Sequence, residues 1–491
     1  MSDLASRRAI SVPYAEPRRQ AAAPERSSVR LVRCTLGLAN RAMAVLDWCA
    51  AFAGVLVACD LAFPGKVGPG QALMLAAVGA SVGGLALKLL QAHRSERYRR
   101  LGAWAADALA GGLAAGAAAG LAAWTFAPGL TVEPGRWAEG AAALLGLTVG
   151  GRAFGVWAFA GLRRRGLLRR RVAVVSADGY ADPLAQRLRQ GLSPLEYELA
   201  GVFEEAGDGA APEFGDLDDL RRLAQHQGVD VVVLCSLWRR PEALAGMMER
   251  LQWISADIVA PLDVPGHMRH PRLVAEIAGA PMVQLVHHPL KGAEGLAKVV
   301  EDYVVATLAL LLASPVMIAA AVAIGLTSPG PVLFRQTRMG LNGRLFEIYK
   351  FRTMRVDPGD DGSAQAVKGD TRITPVGALL RRTSIDELPQ LFNVLKGEMS
   401  VVGPRPHVPG IVIGDTPYSE VVRSYAARHR IKPGLTGWAQ INGARGGIHT
   451  PDKARAAVEA DLHYIQRWSL RFDLEIMLKT FGHLIGNPTV F

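Results

Sequence analysis

Two adjacent acidic residues near the C-terminal end of the chain have the type and spacing to perform chemistry. Asp386 and Glu387 lie in the segment TSIDELPQL, and Ser384 precedes Glu387 by three residues, which is the spacing of a helix capping box. That spacing alone fits acids that only cap a helix. A helix N-terminus also attracts phosphate, and its partial positive charge would keep Asp386 ionised and able to attack phosphorus. The local pattern leaves both interpretations open.

Basic residues accompany these acids along the sequence. Arg381 and Arg382 lie immediately upstream and could neutralise phosphate oxygens that would otherwise repel a carboxylate. The segments GPVLFRQTRMG, GPRP and RHRIKPGLTGW combine Lys or Arg with Gly or Pro, so tight turns could present backbone N–H groups to a polyphosphate. A divalent ion between Asp386 and a diphosphate would serve the same purpose. The pattern predicts a site that handles polyphosphate.

The composition excludes two broad classes of protein. Half of the 491 residues are hydrophobic, only 20% are charged, and the mean hydropathy is +0.18. Disordered chains do not reach such values, and ordinary soluble enzymes rarely do. The net charge of +11 is compatible with nucleic acid, anionic lipid or phosphorylated substrates as partners, so the location of the charges has to distinguish them.

Four apolar stretches in the N-terminal part are each long enough to cross a bilayer. They are expected at about 42–63, 72–92, 104–127 and 138–162. Arg152, within the fourth stretch, either faces the interior of the bundle or marks a shorter span. Basic residues concentrate in the N-terminal tail and in the segments HRSERYRR and RRRGLLRRR, which places both ends of this bundle in the cytoplasm. Such flanks fit anionic lipid better than nucleic acid.

A fifth apolar segment, uncharged from 303 to 326, precedes the acidic pair. Pro315 lies at its middle, where it removes one helix hydrogen bond, and Ser314 can bond the freed backbone groups. Both flanks are basic, so a spanning helix would put one basic flank outside the cell, against the positive-inside rule. We therefore favour a helix–break–helix over 299–327 that enters the inner leaflet and returns, rather than a kinked span.

The region between these membrane segments alternates between strand and helix patterns. RVAVVSA, YELAGVFE and VDVVVLCS fit buried strands, and ADPLAQRLRQGL, LDDLRRLAQHQG and PEALAGMMERLQ fit helices, which predicts a Rossmann-like parallel α/β domain. The turn after the first strand contains one glycine, Gly179, in place of the G-x-G-x-x-G of a dinucleotide site. We therefore favour a structural or regulatory module over one that binds a dinucleotide.

From about residue 298 to its end, the chain resembles the bacterial sugar transferase family, the monotopic polyprenyl-phosphate phosphoglycosyl transferases. The resemblance rests on the Ser-Pro pair of the apolar hairpin, GPVLFRQTRMG, KFRTM, SIDELPQLFNVLKGEMSVVGPRP and PGLTGWAQINGARG, in that order. Ile385 stands where leucine is usual, a near-isosteric difference. The four spans and the α/β domain resemble the long-form members, which initiate exopolysaccharide, capsule or O-antigen assembly.

The resemblance implies a two-step transfer. Asp386 matches the family's nucleophile and would attack the β-phosphate of a UDP-sugar, forming a phosphosugar–aspartyl intermediate and releasing UMP. The phosphate of undecaprenyl phosphate would then attack that intermediate, giving undecaprenyl-diphospho-sugar. Glucose 1-phosphate is the commonest group transferred by long-form members, with galactose 1-phosphate next, and no residue of this sequence decides between them.

The resemblance also assigns the remaining site residues. Glu387 would assist metal binding or activate the acceptor, and Asp386 would be a ligand of Mg²⁺, the family's usual metal. Arg381 matches a phosphate-binding position, and Arg405 of GPRP would clamp the diphosphate or the nucleotide. The other matching positions are Lys350 and Arg352 as phosphate or nucleotide ligands, Asp473 and Arg338 as secondary positions, and Ser314 with Pro315 as the membrane helix break.

These expectations together describe an α+β membrane protein of the bacterial cytoplasmic (inner) membrane with its catalytic domain on the cytoplasmic face. Its parts would be a disordered cytoplasmic tail at 1–35, a four-helix transmembrane bundle at 36–165, the α/β domain at 166–290 and the catalytic domain at 291–491. The expected partners are a UDP-sugar, undecaprenyl phosphate, membrane lipid and a second copy of the chain, joined through the middle domain or the C-terminal tail. No nucleic acid is expected.

Two alternative functions make different predictions about the sequence. A nicotinamide-dependent sugar-nucleotide dehydratase or epimerase needs the glycine turn and a Tyr-x-x-x-Lys pair, and the middle domain contains neither. A non-enzymatic membrane scaffold or nucleotide sensor with a degenerate transferase tail predicts loss of the Asp-Glu pair or of GPRP. Both motifs are intact, which favours the transferase.

Overall fold

The computed structural model describes residues 36–93, 97–126, 134–165, 167–176, 186, 197–204, 215–235, 241–261, 275–277, 280–287, 290, 292–355, 371–444, 448 and 450–486. The predicted N-terminal tail and the turn that contains Gly179 lie outside these residues. Within them, the chain combines long apolar helices, a mixed sheet and a C-terminal region of short strands and helices.

Four long helices form the N-terminal part: α1 (Leu36–Ala62), α2 (Pro69–Leu89), α3 (Leu101–Phe126) and α4 (Pro134–Arg164). Each is long and apolar enough to cross a membrane, and their positions agree with the four predicted stretches. Small residues allow the helices to approach closely. A Cβ added to Gly83 of α2 would come within 2.8 Å of the Gly111 carbonyl oxygen of α3. Such contacts between small residues are typical of helices that pack in lipid.

The sequence left open whether Arg152 faces the interior of the bundle or marks a shorter span, and the structure decides for the interior. The residue is fully buried and faces the interior between the helices. Its guanidinium donates to the Asp47 carboxylate of α1 at 2.5 Å and to the Ala92 carbonyl at 2.7 Å, and it lies 3.4 Å from Asp107 of α3. Arg97 donates to Asp107 at 2.9 Å. Two arginines therefore balance two buried aspartates, as a low-dielectric environment requires.

The middle domain is built on a six-stranded sheet in the order β2-β1-β3-β4-β6-β5. Its strands are β1 (Arg170–Ser176), β2 (Tyr197–Glu204), β3 (Val231–Cys235), β4 (Asp257–Pro261), β5 (Ala275–Ile277) and β6 (Ala280–Val286), and its described helices are α5 (Leu217–His226) and α6 (Pro241–Leu251). Strands β2, β1, β3 and β4 are parallel and are covered by apolar clusters on both faces. The predicted parallel strands and the predicted helices at α5 and α6 are confirmed, whereas the helix predicted at 181–192 lies almost wholly outside the described residues.

Two features of this sheet differ from the prediction. The order 2-1-3-4 of the parallel strands is that of flavodoxin-like sheets, whereas the dinucleotide-binding order is 3-2-1-4. The last two strands form an antiparallel hairpin that also pairs with β4 and was not predicted. Hydropathy marks a strand as buried, but it does not indicate whether β3 pairs with β1 directly or lies on the far side of β2.

A 36-residue helix, α7 (Gly292–Thr327), begins the C-terminal region, and Pro315 lies inside it. The predicted break does not divide α7 into two elements. A proline at this position leaves the carbonyl four residues earlier, that of Leu311, without its N–H donor. The Ser314 hydroxyl donates to that carbonyl at 2.8 Å and replaces the missing hydrogen bond. Whether α7 crosses the membrane or returns to the same face stays a matter of prediction at this point.

The rest of the region folds against α7. It contains the hairpin β7 (Leu333–Met339) and β8 (Leu345–Phe351), the helices α8 (Pro375–Arg382), α9 (Gln390–Leu395), α10 (Tyr418–Val421), α11 (Pro451–Gln466) and α12 (Leu470–Gly486), and the short strands β9 (Ser400–Val402), β10 (Val412–Ile413), β11 (Thr416–Pro417) and β12 (Gly434–Thr436). Its main core joins α7 with α9, β8, β9, α11 and α12. This core supports the loops that carry the acidic pair.

The buried network around Arg152 yields a stability prediction. Arg152→Leu leaves Asp47 and Asp107 buried with one cation fewer, and removing one partner of a buried ion pair costs about 3–5 kcal/mol. The melting temperature of the full chain in nanodiscs should fall clearly. Arg100→Leu, at an exposed arginine directly before α3, is the matched control and should leave it nearly unchanged. Equal melting temperatures for both variants would contradict a stabilising network.

Candidate active site around Asp386 and Glu387

The acidic pair lies on a tight turn between two short helices. Residues Ile385–Glu387 form a single 3₁₀ turn after α8 and before α9. Ser384 has a positive φ of 56° and its side chain makes no capping hydrogen bond. The predicted capping box is therefore wrong, because the left-handed conformation of Ser384 directs the chain into a turn. The Glu387 carboxylate bonds side chains from other elements.

Two cations hold Glu387 from different parts of the chain. Lys350, on strand β8, donates to the Glu387 carboxylate at 2.8 Å. The Arg405 guanidinium, in the GPRP segment after β9, approaches the same oxygen at 3.6 Å. The side chain of Arg405 is 36% exposed, so part of its fork of donors can still reach a ligand. Three motifs that are distant in sequence thus converge on one carboxylate.

Asp386 is less constrained than its neighbour. Within the described residues, no other side chain donates a hydrogen bond to its carboxylate. Burial, together with the charge of Glu387, raises the pKa of Asp386 to about 6, although Lys350 and Arg381 oppose that shift. The expectation that a helix N-terminus would favour ionisation is not met, since a single 3₁₀ turn has little dipole. A half-buried carboxylate whose only hydrogen-bond donor among the described residues is its own backbone amide is suited to bonding an incoming atom.

Helix α8 places Arg381 beside the acidic pair. The helix begins at Thr374, whose hydroxyl accepts from the Gly377 amide at 2.9 Å. A Cβ on Gly377 would lie 2.0 Å from the Thr353 carbonyl oxygen, so only glycine permits this close approach. The Arg381 Nε donates to the Thr353 hydroxyl at 2.9 Å, and its charge acts on Asp386. The Thr353 contact thus holds the Arg381 guanidinium within electrostatic range of Asp386.

Arg338 lies close enough to Arg405 and Glu387 for their charges to act on it. It lies on β7, donates to the Pro406 carbonyl at 3.4 Å and contacts Gln336 at 2.5 Å. Burial and the nearby charge of Arg405 lower the pKa of Arg338 to about 10, and Glu387 opposes the shift. The predicted residues Asp386, Glu387, Lys350, Arg381, Arg405 and Arg338 are therefore brought together.

Two predicted residues do not join this cluster. Arg352 is buried and donates to the Ser328 carbonyl and hydroxyl at 2.7 and 2.8 Å and to the Pro329 carbonyl at 2.8 Å. Asp473 is fully buried and accepts from Lys298 at 2.6 Å. Arg352 thus holds the C-terminal end of α7 and Asp473 its N-terminal part. Both residues position the helix and do not face the acidic pair.

The glycines of GPRP and PGLTG have a different role from the one predicted. The Gly403 amide donates to the Thr436 carbonyl at 2.8 Å, and the Gly434 amide donates to the Pro404 carbonyl at 2.9 Å. Both amides are therefore engaged inside the protein and do not point toward a phosphate. A Cβ on Gly434 would lie 2.0 Å from the Gly403 nitrogen. These glycines allow two backbones to pack closely and so support Arg405.

Arg428 is a site residue that sequence reasoning missed. It is 3% exposed, bonds the Asp461 carboxylate at 2.7 Å and donates to the carbonyl oxygen of Arg405 at 2.9 Å. It also contacts His407 of the segment that follows GPRP. The only signal for it was the basic run RHR, which does not show which arginine is buried.

The donor set fits Mg²⁺ only together with a substrate. The described residues contain no group of three His, Cys, Asp or Glu side chains that could hold a metal. Mg²⁺ is commonly bound by one or two carboxylates and by phosphate oxygens. Asp386 offers a carboxylate free of side-chain donors, whereas Glu387 is already paired with Lys350. A diphosphate would have to supply the other ligands.

Comparisons with known proteins identify the relatives of this chain. Residues 293–487 match the family described as bacterial sugar transferase. A UDP-glucose:undecaprenyl-phosphate glucose-1-phosphate transferase of Escherichia coli (strain K12) is 40% identical over 323 residues, covering 65% of this chain and 68% of that protein. An exopolysaccharide production protein of Rhizobium leguminosarum bv. phaseoli is 51% identical over 182 residues, covering 37% and 90%. A UDP-N-acetylgalactosamine-undecaprenyl-phosphate N-acetylgalactosaminephosphotransferase of Aeromonas hydrophila is 44% identical over 184 residues, covering 38% and 42%.

The raised pKa of Asp386 predicts how stability changes with pH. The folded-state pKa of about 6 lies above the ordinary value of 3.8, so ionising Asp386 in the folded protein has a free-energy cost. This cost lowers the free energy of unfolding as the pH rises from about 4 through about 6. Asp386→Asn removes that cost. In a buffer with a metal chelator, the variant should melt a few degrees above the wild type at pH 8, and the difference should vanish below about pH 4.

The matched control is Asp415→Asn, which changes an exposed aspartate on the β10–β11 turn. It should leave the melting temperature at pH 8 unchanged. A melting temperature of Asp386→Asn at or below that of the wild type at pH 8 would contradict the raised pKa.

Proposed function

Because the chain belongs to the bacterial sugar transferase family, we propose that it transfers a hexose 1-phosphate from a UDP-sugar to undecaprenyl phosphate and releases UMP. One observation carries this proposal beyond family membership. Among the residues that the structure describes, no side chain donates to the Asp386 carboxylate, while the adjacent Glu387 is held by Lys350 and Arg405. One acid of the pair is thus available to react, and the other organises the cations around it.

The proposed first step is a displacement at the β-phosphorus. A carboxylate oxygen of Asp386 bonds to phosphorus, and the bond from phosphorus to the oxygen bridging the two phosphates breaks. The bridging oxygen and its electron pair leave with UMP. Arg381 and Arg405 would bind the phosphate oxygens of the substrate, whose negative charge otherwise repels the carboxylate; Arg381 acts electrostatically on Asp386, and Arg405 lies beside Glu387. A phosphosugar–aspartyl ester remains on the enzyme.

The proposed second step regenerates the enzyme. A phosphate oxygen of undecaprenyl phosphate bonds to the same phosphorus, the bond to Asp386 breaks, and the carboxylate returns with its electron pair. The product is undecaprenyl-diphospho-sugar. Asp386 and the substrate phosphates would hold Mg²⁺, which supplies further neutralisation of the diphosphate when bound. The step would begin the assembly of an exopolysaccharide, capsule or O-antigen.

Glucose 1-phosphate is the proposed group, because the Escherichia coli relative is named for UDP-glucose. The Aeromonas hydrophila relative is named for N-acetylgalactosamine at 44% identity, so similarity alone does not determine the sugar. Galactose 1-phosphate is the second candidate. A direct comparison of donors is therefore part of the test.

A UMP-release assay tests this function. The full chain in nanodiscs with undecaprenyl phosphate and Mg²⁺ should release UMP fastest from UDP-glucose, compared with UDP-galactose and UDP-N-acetylgalactosamine. Asp386→Asn should lower the rate at least about a thousandfold, as expected for loss of a nucleophile. Asp415→Asn should retain the wild-type rate, and a chelator should lower the rate until Mg²⁺ is restored. Near-wild-type activity of Asp386→Asn overturns the nucleophile, and no release from any donor overturns the reaction.

We also propose that α7 bends at Pro315 without being interrupted there, so that it enters the cytoplasmic leaflet and returns to the same face. The two ends of α7 are anchored to the same folded region: Lys298 bonds Asp473 at 2.6 Å near its start, and Arg352 bonds Ser328 directly after its end. The middle of the helix is instead exposed and apolar, and Leu312 is 81% exposed. This distribution fits insertion into lipid between two ends that stay on one side.

Cysteine labelling in spheroplasts tests this topology. In a chain whose native cysteines have been replaced, a membrane-impermeant maleimide should label Pro64→Cys, in the exposed loop between α1 and α2, from outside. Thr337→Cys, an exposed position on β7, should be labelled only after permeabilisation. Labelling of Thr337→Cys in sealed spheroplasts would show that α7 spans the membrane.

A further inference from the structure

The turn between β7 and β8 inserts into the middle domain. Asn342, 8% exposed and with a φ of 56°, lies at the tip of this turn. Its side-chain oxygen accepts from the Ser255 amide at 2.7 Å, and its side-chain nitrogen donates to the Ala224 carbonyl at 3.0 Å. Its own carbonyl accepts from the Gln225 side chain at 3.0 Å. One residue of the catalytic region therefore makes three hydrogen bonds to the middle domain.

A second contact lies beside the first. The His429 ring stacks on Trp253 of the middle domain, with ring centroids 4.9 Å apart. Arg430 donates to the carbonyls of Ala256 and His287 at 3.1 Å each, and its own carbonyl accepts from the Ser255 hydroxyl. Two of the three side chains of residues 428–430, those of His429 and Arg430, thus contact the middle domain.

The third side chain of this segment points the other way, toward the active site. Arg428 bonds the Asp461 carboxylate and donates to the Arg405 carbonyl at 2.9 Å. Strand β7, which carries the Asn342 turn, reaches the same loop, because the Met339 amide donates to the His407 carbonyl at 2.9 Å. Both contacts with the middle domain therefore converge on the loop that carries Arg405.

We propose that Arg428 is a positioning residue for Arg405, and that docking of the middle domain at Asn342 and Trp253 sets that position. The Arg405 guanidinium lies 3.6 Å from the Glu387 carboxylate. Arg428 holds Arg405 through a hydrogen bond to its main-chain carbonyl. The inference rests on the proposed function for its substrate, the diphosphate of a UDP-sugar. It adds that the middle domain controls how tightly that diphosphate is held.

The effect is expected in substrate affinity and not in the chemical step. The Rhizobium leguminosarum relative matches this chain over 182 residues that are 90% of its own length, so it is little longer than the catalytic region. This relative is therefore too short to contain both a catalytic region and a middle domain, which fits a chemical step that does not require the middle domain. Arg405 contacts Glu387 and not the reacting carboxylate of Asp386, which also favours a role in holding the substrate.

Three variants of the full chain in nanodiscs test the coupling. Asn342→Gly keeps the left-handed backbone without strain and removes both side-chain hydrogen bonds to the middle domain. Arg428→Lys keeps the positive charge opposite Asp461 but loses the planar fork that reaches Arg405. Gln91→Gly is the matched control, because Gln91 is an exposed polar residue that also has a positive φ, 53°, and lies near the membrane helices.

Initial rates of UMP release over a range of UDP-glucose concentrations provide the main measurement. Asn342→Gly and Arg428→Lys should each raise KM about fivefold and change kcat less than twofold, whereas Gln91→Gly should change neither. Because both substitutions act through the loop that carries Arg405, the double variant should have a KM close to that of whichever single variant has the higher KM. A KM of Asn342→Gly within twofold of the wild type, or a multiplicative effect in the double variant, overturns the coupling.

Amide hydrogen exchange supplies a second measurement that does not depend on the assay. Exchange in residues 403–407 should become faster in Asn342→Gly and stay unchanged in Gln91→Gly. Unchanged exchange in that segment overturns the coupling even where the wild type is active. If the wild type releases no UMP from any UDP-sugar, the proposed function fails, and the exchange experiment still decides whether the two domains are coupled.

Discussion

The hydrogen bond between Lys350 and Glu387 is the interaction on which the candidate site depends. Two adjacent carboxylates repel each other and repel a diphosphate, so neither can face a substrate unless cations balance the charge. Lys350 and Arg405 provide that balance from two separate segments, and both act on Glu387. Asp386 is thereby left without a side-chain donor in the part of the chain that the structure describes. The different surroundings of two neighbouring residues separate a reactive acid from an organising one.

Helix α7 provides the second constraint, because it is long and apolar enough to enter a membrane and its ends are fixed beside the site. Its ends are tied to the catalytic region by Lys298 with Asp473 and by Arg352 with Ser328, while its middle presents apolar side chains. Ser314 replaces the hydrogen bond that Pro315 removes, so the helix stays intact within an apolar environment. A lipid-linked phosphate and a soluble nucleotide sugar could then meet at the same turn.

Local patterns in the sequence predicted the four apolar stretches and the first three strands of the middle domain, which agree with the structure. The grouping of Lys350 and Arg405 with the acidic pair was implied by the family resemblance, and the structure brings these residues together. The capping box at Ser384 failed because its spacing does not reveal a positive φ. Local hydropathy likewise indicates a buried strand without specifying which strand becomes its neighbour in the sheet.

Residue types alone did not separate cations that bind substrate from cations that hold the fold. Arg352 and Arg405 look alike in the sequence, yet one is buried against main-chain carbonyls and the other is partly exposed beside Glu387. Arg428 was missed for the same reason, since its role depends on Asp461 and on the Arg405 carbonyl, which only tertiary contacts bring together. The raised pKa of Asp386 also follows from burial that no local pattern reports.

Mass spectrometry of the acidic-pair peptide tests the central claim most directly. The full chain is incubated with UDP-glucose in the absence of undecaprenyl phosphate, quenched and digested. The account predicts a mass gain of one hexose phosphate on Asp386, which disappears when undecaprenyl phosphate is added before the quench. UMP release that requires the acceptor, with no adduct on any peptide, or an adduct on a residue other than Asp386, would contradict it.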